Sequence, residues 1–136
     1  MNKIGVASLL VLSLALAACG GYTEVNPWTT GHQGTQGGDM TVGIDKANGT
    51  IVQDMELEGH PNVTLEVDVT LAVGKGSYKI ELLGKDEQVT LALEARDGET
   101  VSGHGQMVTD LIGEASYRVT AVDAENVDYV LEYTFR

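Results

Sequence analysis

Apolar and polar residues alternate with a period of two over most of the chain from Met40 onward. The clearest run extends from Val63 to Val73, where valine and leucine alternate with threonine, glutamate and aspartate. A period of two directs successive side chains to opposite faces of a β-strand, with one face buried and the other in water. The pattern predicts strands at 40–44, 51–57, 63–73, 78–82, 89–95, 117–121 and 127–135. A further strand at 100–108 is interrupted by Gly103 and Gly105, which weaken it.

Short segments of turn-forming residues separate these runs. They are Asn48-Gly49, Gly59–Asn62, Gly74–Gly76, Gly84–Asp86, Asp97-Gly98 and Ala124–Asn126. Loops this short join antiparallel neighbours. The pattern therefore predicts an all-β fold, an antiparallel two-sheet sandwich of about 7–8 strands. A small up-and-down barrel is the alternative, but an inward set that is mainly aliphatic suits the thin core of a sandwich better.

The beginning of the chain has a different pattern. Lys3 precedes a continuous apolar run from Ile4, which is long enough for a secretion signal but shorter than the roughly 20 residues of a membrane-spanning helix. The run ends in Leu16-Ala17-Ala18-Cys19, which resembles the lipobox of bacterial lipoproteins. The resemblance implies that residues 1–18 are a signal peptide and that Cys19 carries acyl chains such as palmitate. The mature protein is then expected to be lipid-anchored on the extracytoplasmic side.

The residue after the cysteine bears on location. Gly20 stands where an aspartate in Gram-negative lipoproteins resembles a signal for retention in the inner membrane. Gly20 therefore favours the outer membrane in a Gram-negative host, and a Gram-positive host would hold the anchor in its cell membrane. Cys19 is the only cysteine, so no internal disulfide is expected.

Glycine, threonine and glutamine dominate residues 19–39, which show no apolar periodicity. This composition predicts a flexible tether between Cys19 and a folded domain at 40–136. Trp28, the only tryptophan, lies inside it. Its ring is expected to pack back onto the domain, with a membrane or partner contact as the alternatives.

The formal charge is −12, from 20 acidic and 8 basic residues. Such a balance repels nucleic acid and anionic lipid headgroups, and it excludes nucleic acid as a partner. The acidic strand faces contain Glu66, Asp68, Glu81, Glu94 and Asp128, and they favour a basic surface on a partner. The free edges of an open sandwich are a second means of contact, because they accept a strand from a partner.

Few residue patterns point to chemistry. Asp123, Glu125 and Asp128 follow one another closely and are the candidate ligands for calcium, which binds oxygen. The three histidines, His32, His60 and His104, are widely separated, and no resident cofactor is expected. His104 stands between two glycines, which allow close approach of a ligand, so His104 and Trp28 are the candidate ligand-binding residues. No nucleophile motif is present, and the chain is not expected to be an enzyme.

The spacing from Gly113 through Tyr117 to Val119 resembles that of secreted β-sandwich modules, including immunoglobulin-like and pre-peptidase C-terminal-like domains. The resemblance implies a role in binding. The first hypothesis is thus a non-catalytic module that contacts another protein of the cell envelope. The alternatives are a carbohydrate- or calcium-binding module, which an exposed row of aromatic rings beside an acidic loop would support, and a small hydrolase, which needs a pocket that combines His104 with two carboxylates.

Overall fold

The structure, a computed structural model, describes residues 21–136 as seven β-strands joined in one antiparallel sheet. The strands are β1 (Thr23–Val25), β2 (Trp28–Gln33), β3 (Gly37–Glu56), β4 (Thr64–Leu83), β5 (Val89–Arg96), β6 (Thr100–Val108) and β7 (Glu114–Phe135). One turn of 3₁₀ helix, Lys85–Glu87, precedes β5. The all-β prediction is confirmed. The predicted signal peptide and Cys19 lie outside the described residues.

No helix within residues 21–136 has the length and hydrophobicity needed to cross a membrane.

The three longest strands, β3, β7 and β4, lie side by side and all bend at the same level of the sheet. The register between β3 and β7 shifts at Ala47/Gly49, and that between β4 and β7 shifts at Lys75/Ser77. Such bulges bend a strand and increase its twist. Together they fold the sheet over itself into two packed layers, which have the architecture of a sandwich and leave the sheet open.

Each layer contains one half of every long strand. The first layer consists of β2, the first halves of β3 and β4, the second half of β7, and β6. The second layer consists of the second halves of β3 and β4, the first half of β7, and β5. Strand β1 pairs with β3 at the bend itself, where Thr23 lies opposite Asn48. The layers therefore have five and four strands respectively.

Three segments that the sequence predicts to be turns lie inside these bent strands. Asn48-Gly49, Gly74–Gly76 and Ala124–Asn126 belong to β3, β4 and β7. Each contains a residue with positive φ, such as Gly76 at 77° or Asn126 at 53°. Bulges and tight turns share this requirement, so the same residue types indicate both. The predicted strands 40–44 and 51–57 therefore correspond to parts of β3, 63–73 and 78–82 to parts of β4, and 117–121 and 127–135 to parts of β7.

The predicted tether is also corrected. Residues 23–25 and 28–33 form β1 and β2, and β3 already begins at Gly37. Both strands pair with β3 between Gly38 and Asn48. These backbone hydrogen bonds hold them in the sheet, although their sequence has no apolar periodicity. Tyr22 is fully buried. The ordered domain thus extends at least as far toward the N-terminus as Tyr22, while the predicted boundary stood at residue 40.

The inner faces of the two layers form the core. Four tyrosines that the alternation directs inward, Tyr78, Tyr117, Tyr129 and Tyr133, are all at most 5% exposed, which confirms their predicted orientation. The hydroxyls of Tyr117 and Tyr129 are hydrogen-bonded at 2.9 Å, and the ring of Tyr78 stacks on that of Tyr129 at 5.8 Å. These rings connect the layers and are not available as an exposed platform for sugars.

Candidate functional site

A cleft of about 450 Å³ opens along one side of the sandwich, between β2 of the first layer and the second half of β3. The opposite side is closed, because Thr90 of β5 exchanges hydrogen bonds with the backbone of Gln106 in β6. The cleft exists because β2 extends the first layer by one strand, while the second layer ends at β3. At one end, the side-chain Nε2 of Gln33 donates to the Glu58 carbonyl at 3.0 Å and joins the two sides.

The floor of the cleft is apolar. It consists of inward-facing side chains from both layers: Met40, Val42, Met55, Leu57, Tyr117, Tyr129 and Tyr133. These residues belong to the hydrophobic core or pack against it, so their positions are fixed by the fold. A bound apolar side chain would therefore meet a preformed surface, which lowers the entropic cost of binding.

The rim of the cleft is acidic. Six carboxylates line the cleft, and this set is called the acidic rim below: Glu24, Asp39, Asp54, Glu56, Glu58 and Glu114. None of the lining residues is Lys or Arg. Within residues 21–136, the one ion pair of the rim joins Asp39 to His32, at 3.3 Å. The rim thus presents negative charge that Lys and Arg side chains do not neutralise.

Glu24 is the most enclosed member of the acidic rim. It comes from β1, opposite the buried Ala47, so its side chain faces inward at the bend. The Tyr22 hydroxyl donates to its Oε2 at 2.9 Å, whereas its Oε1 is buried without a hydrogen-bond partner in the described structure. Burial raises the pKa of Glu24, and the hydrogen bond from Tyr22 opposes the rise. A cation held in the cleft nearby would favour the charged form of this carboxyl.

Glu114 is crowded by like charges. Partial burial raises its pKa, and the nearby carboxylates of Asp54, Asp110 and Glu56 raise it further. Glu56 lies directly opposite Glu114 across the β3–β7 pair. Like charges at such positions repel, and a bound cation relieves the repulsion. The electrostatics of the cleft therefore favour a positively charged ligand.

The acidic strand faces predicted to meet a partner are largely paired within the domain. Glu81 accepts from Arg118 Nε at 2.9 Å, and Glu94 lies 3.8 Å from Arg96. Asp128 is exposed on the outer face of the first layer. The cleft, in contrast, brings six carboxylates together without a Lys or Arg among its lining residues. In the sequence, carboxylates at the alternate positions Asp54, Glu56 and Glu58 are a signal that could have indicated this acidic edge.

The candidate His104 lies on the outer face of β6, away from the cleft. Its Nδ1 and Nε2 lie 2.8 Å from carboxylate oxygens of Asp68 and Glu66 respectively. Both hydrogen bonds raise the pKa of His104, because both nitrogens carry protons only in the cationic ring. The side chain is 54% exposed. This triad is a surface ion pair across β4 and β6, and it does not provide the pocket that a hydrolase needs.

Trp28 begins β2 and also points away from the cleft. Its indole lies over Gly43, where an added side chain would overlap the ring, and it remains 48% exposed. The expected packing onto the domain is therefore present over part of the ring. His32 faces Asp39, and His60 stacks on Phe135 with ring centres 3.8 Å apart. The three histidines lie apart, in β2, in the loop between β3 and β4, and in β6.

The calcium candidates lie along β7 near the bend. Asp123 accepts from the amide of Asn48 at 3.1 Å, and Glu125 lies opposite Lys46 and Lys75 in the strand register. Within residues 21–136, no three acidic, histidine or cysteine side chains are arranged to hold a metal ion. Calcium at Asp123, Glu125 and Asp128 stays a prediction, with its residues in a strand where a loop was predicted.

No protein-family model and no curated protein sequence matches this chain. Solved structures with a similar arrangement of strands include a family 4 carbohydrate-binding module, at 8% identity and a TM-score of 0.40, with 79% of this chain and 86% of that chain covered. A pilus protein of Bacillus endospore appendages has 9% identity and a TM-score of 0.46, covering 83% and 92%. The xylan-binding domain of a Paenibacillus barcinonensis protein has 12% identity and a TM-score of 0.36, covering 85% and 84%. Likeness at these scores is too distant to transfer a function.

Proposed function

We propose that this chain is a non-catalytic binding domain of the bacterial cell envelope, and that its cleft binds a basic segment of another envelope protein. The observation that carries the proposal is the acidic rim above an apolar floor, with no Lys or Arg among the lining residues. A segment that alternates apolar and basic residues matches both features. Its apolar side chains would cover the floor, while its cations would pair with the rim.

Other occupants fit the charge less well. A second copy of this chain brings a net charge of −12 to an acidic cleft, and nucleic acid and anionic lipid are repelled in the same way. A carbohydrate ligand would need an aromatic ring with one face broadly exposed, but Tyr117, Tyr129 and Tyr133 are at most 5% exposed and contribute only small areas to the floor. The cleft therefore favours a cationic protein segment.

The lipid anchor at Cys19 is part of the proposal. Tyr22 is fully buried, so the chain is fixed three positions after the cysteine. Three residues span at most about 10 Å when extended. An anchored domain would consequently stay close to the membrane surface, without the reach that a tether of some twenty residues would give. This position suits a partner that is itself embedded in or attached to the same membrane.

Cys19→Ser should release the protein from membranes, because a single thioether-linked lipid is its only proposed anchor. The measurement is the distribution of the full-length chain between membrane pellet and supernatant, with mass spectrometry of the N-terminal peptide of the wild type. Cys19 is the only cysteine, so the substitution removes every thiol that could be acylated. Ser13→Ala, a change inside the predicted signal, is the control and should stay with the membrane. Equal retention of the Cys19→Ser protein would contradict the anchor.

The cleft should bind a seven-residue peptide in which valine and lysine alternate, and it should not bind the matched peptide of valine and glutamate. Fluorescence anisotropy with the purified full chain in neutral detergent measures both. We expect affinity for the lysine peptide to fall at least about ten-fold between 20 and 200 mM salt, as screening of exposed charges predicts. The proposal would be overturned if both peptides bound with equal affinity, or if salt did not weaken binding of the lysine peptide. Calcium that displaces the peptide at millimolar concentration would instead favour a metal in the cleft.

A further inference from the structure

The free edge of β3 in the second layer defines the position of a missing strand. Among the described residues, 49–56 of β3 pair only with β7, whereas residues 38–43 of the same strand pair with both β2 and β7. The second layer therefore ends one strand short of the first. The place beside 50–56, facing β2 across the core, coincides with the opening of the cleft.

The hydrogen-bonding pattern of β3 identifies the backbone groups at this edge. Leu57 N–H donates to the Gly113 carbonyl at 2.8 Å, and the register from Thr50 to Glu56 continues from that pair without a shift. In an antiparallel ladder, residues alternate between bonding the neighbour and pointing away from it. Counting back from Leu57 directs the N–H and C=O groups of Thr50, Val52, Asp54 and Glu56 to the free edge.

Side-chain distances agree with this assignment. Pairs that do not exchange backbone hydrogen bonds bring their side chains closer together. Thr50 and Thr120 hydroxyls are 3.3 Å apart, and the Ser116 hydroxyl donates to Asp54 at 2.6 Å. Both pairs belong to the set whose backbone points outward. The edge thus offers four residues of unpaired backbone in a row.

We infer that the partner's basic segment binds as an added β-strand along residues 50–56 of β3. This inference rests on the proposed function and specifies how the cleft holds its ligand. The added strand runs antiparallel to β3, in line with β1, which occupies the same edge at residues 46–48. It completes the second layer opposite β2 and covers the apolar floor.

The alternation of the sheet assigns the two faces of the added strand. Val52, Asp54 and Glu56 point to the outer face of the sheet, where Glu114 also lies. The residues of the added segment that bond these three point to the same face, so they suit lysine or arginine. The intervening residues face Met40 and Met55 and suit apolar side chains. Backbone bonds provide affinity and the alternating side chains provide specificity.

Peptides methylated at selected backbone nitrogens test this mode. Methylating the amides of all three lysines in the valine–lysine peptide removes the donors that face β3, and we expect at least a ten-fold loss of affinity. Methylating instead the amides of the three valines that each follow a lysine should change affinity less than three-fold, although charge and composition are the same. A slip of the register by two residues preserves the distinction, since it preserves which amides face the edge.

A change in the protein provides a second measurement. Val52→Pro removes one outward N–H without removing a bond to β7, a position at which edge strands tolerate proline. We expect peptide affinity to fall at least ten-fold with circular dichroism unchanged. Equal effects of the two methylation sets would overturn strand addition while leaving the proposed function standing. Failure of the unmethylated peptide to bind would instead overturn the proposed function itself.

Discussion

Gly76→Ala should lower the free energy of unfolding by at least about 3 kcal/mol, the largest effect expected of a single methyl group here. Gly76 has a φ of 77° at the bulge of β4, and a side-chain carbon there would collide with the backbone carbonyl of Asp123 in β7. The three nearest atoms are all backbone atoms of Val122 and Asp123, so no flexible group can move away. The two strands would have to separate at the bend, which holds the two layers together.

Gly98→Ala is the matched control. Gly98 has a similar φ of 72°, but an added carbon would meet nothing within 4 Å. It should cost only the conformational penalty, about 1 kcal/mol. Thermal unfolding of both variants measures the difference, and about 4–8 °C per kcal/mol is expected for a domain of this size. Equal losses would show that the bend accommodates a side chain, contrary to the packing described.

The strand content of the domain could be predicted because it depends on local alternation. The runs at 89–95 and 100–108 correspond to β5 and β6, and the run at 63–73 starts within one residue of β4. What alternation does not encode is whether a glycine or asparagine between two runs makes a turn or a bulge. Gly74–Gly76 and Asn48-Gly49 satisfy the local requirement for either, and only the neighbouring strand decides.

The first two strands are missed for a related reason. Thr29, Gly31 and Gln33 have no apolar alternation, and their strand is held by backbone pairing with β3 and by the ring of Trp28 over Gly43. Such support comes from residues distant in the sequence. The assignment of residues 23–33 to a tether placed Glu24 outside the domain, so the cleft could not be predicted.

The same topology explains why the candidate site differs from the predicted one. Acidic residues on open strand faces, such as Glu81, acquire basic neighbours from adjacent strands. Those around the cleft do not, because no strand pairs with the second half of β3 on its outer side among residues 21–136. A strand that supplied lysines at this edge would neutralise the acidic rim in the same way as the internal pairs elsewhere. The missing strand and the unpaired charge are thus two aspects of one feature.

Glu24→Gln should weaken binding of the valine–lysine peptide about ten-fold and, at the same time, stabilise the free protein at neutral pH. Removing one of the six carboxylates of the acidic rim accounts for the first effect, because it lowers the negative potential that attracts the lysines of the peptide. The second follows from the raised pKa of this carboxyl, which burial produces by disfavouring the charged form. A group whose pKa is raised by folding destabilises the native state above that pKa, and the amide removes this penalty.

The pH dependence of stability tests whether loss of the buried charge causes the gain in Glu24→Gln. The gain in melting temperature should be present at pH 7.5 and should shrink as the pH falls through the raised pKa toward the ordinary value of 4.5, where the wild-type carboxyl is itself neutral. Asp128→Asn removes one exposed carboxylate outside the cleft and should change neither quantity appreciably. If Glu24→Gln lowered stability and left affinity unchanged, Glu24 would be a structural partner of Tyr22. Opposite changes in stability and affinity would identify it as a residue kept for binding.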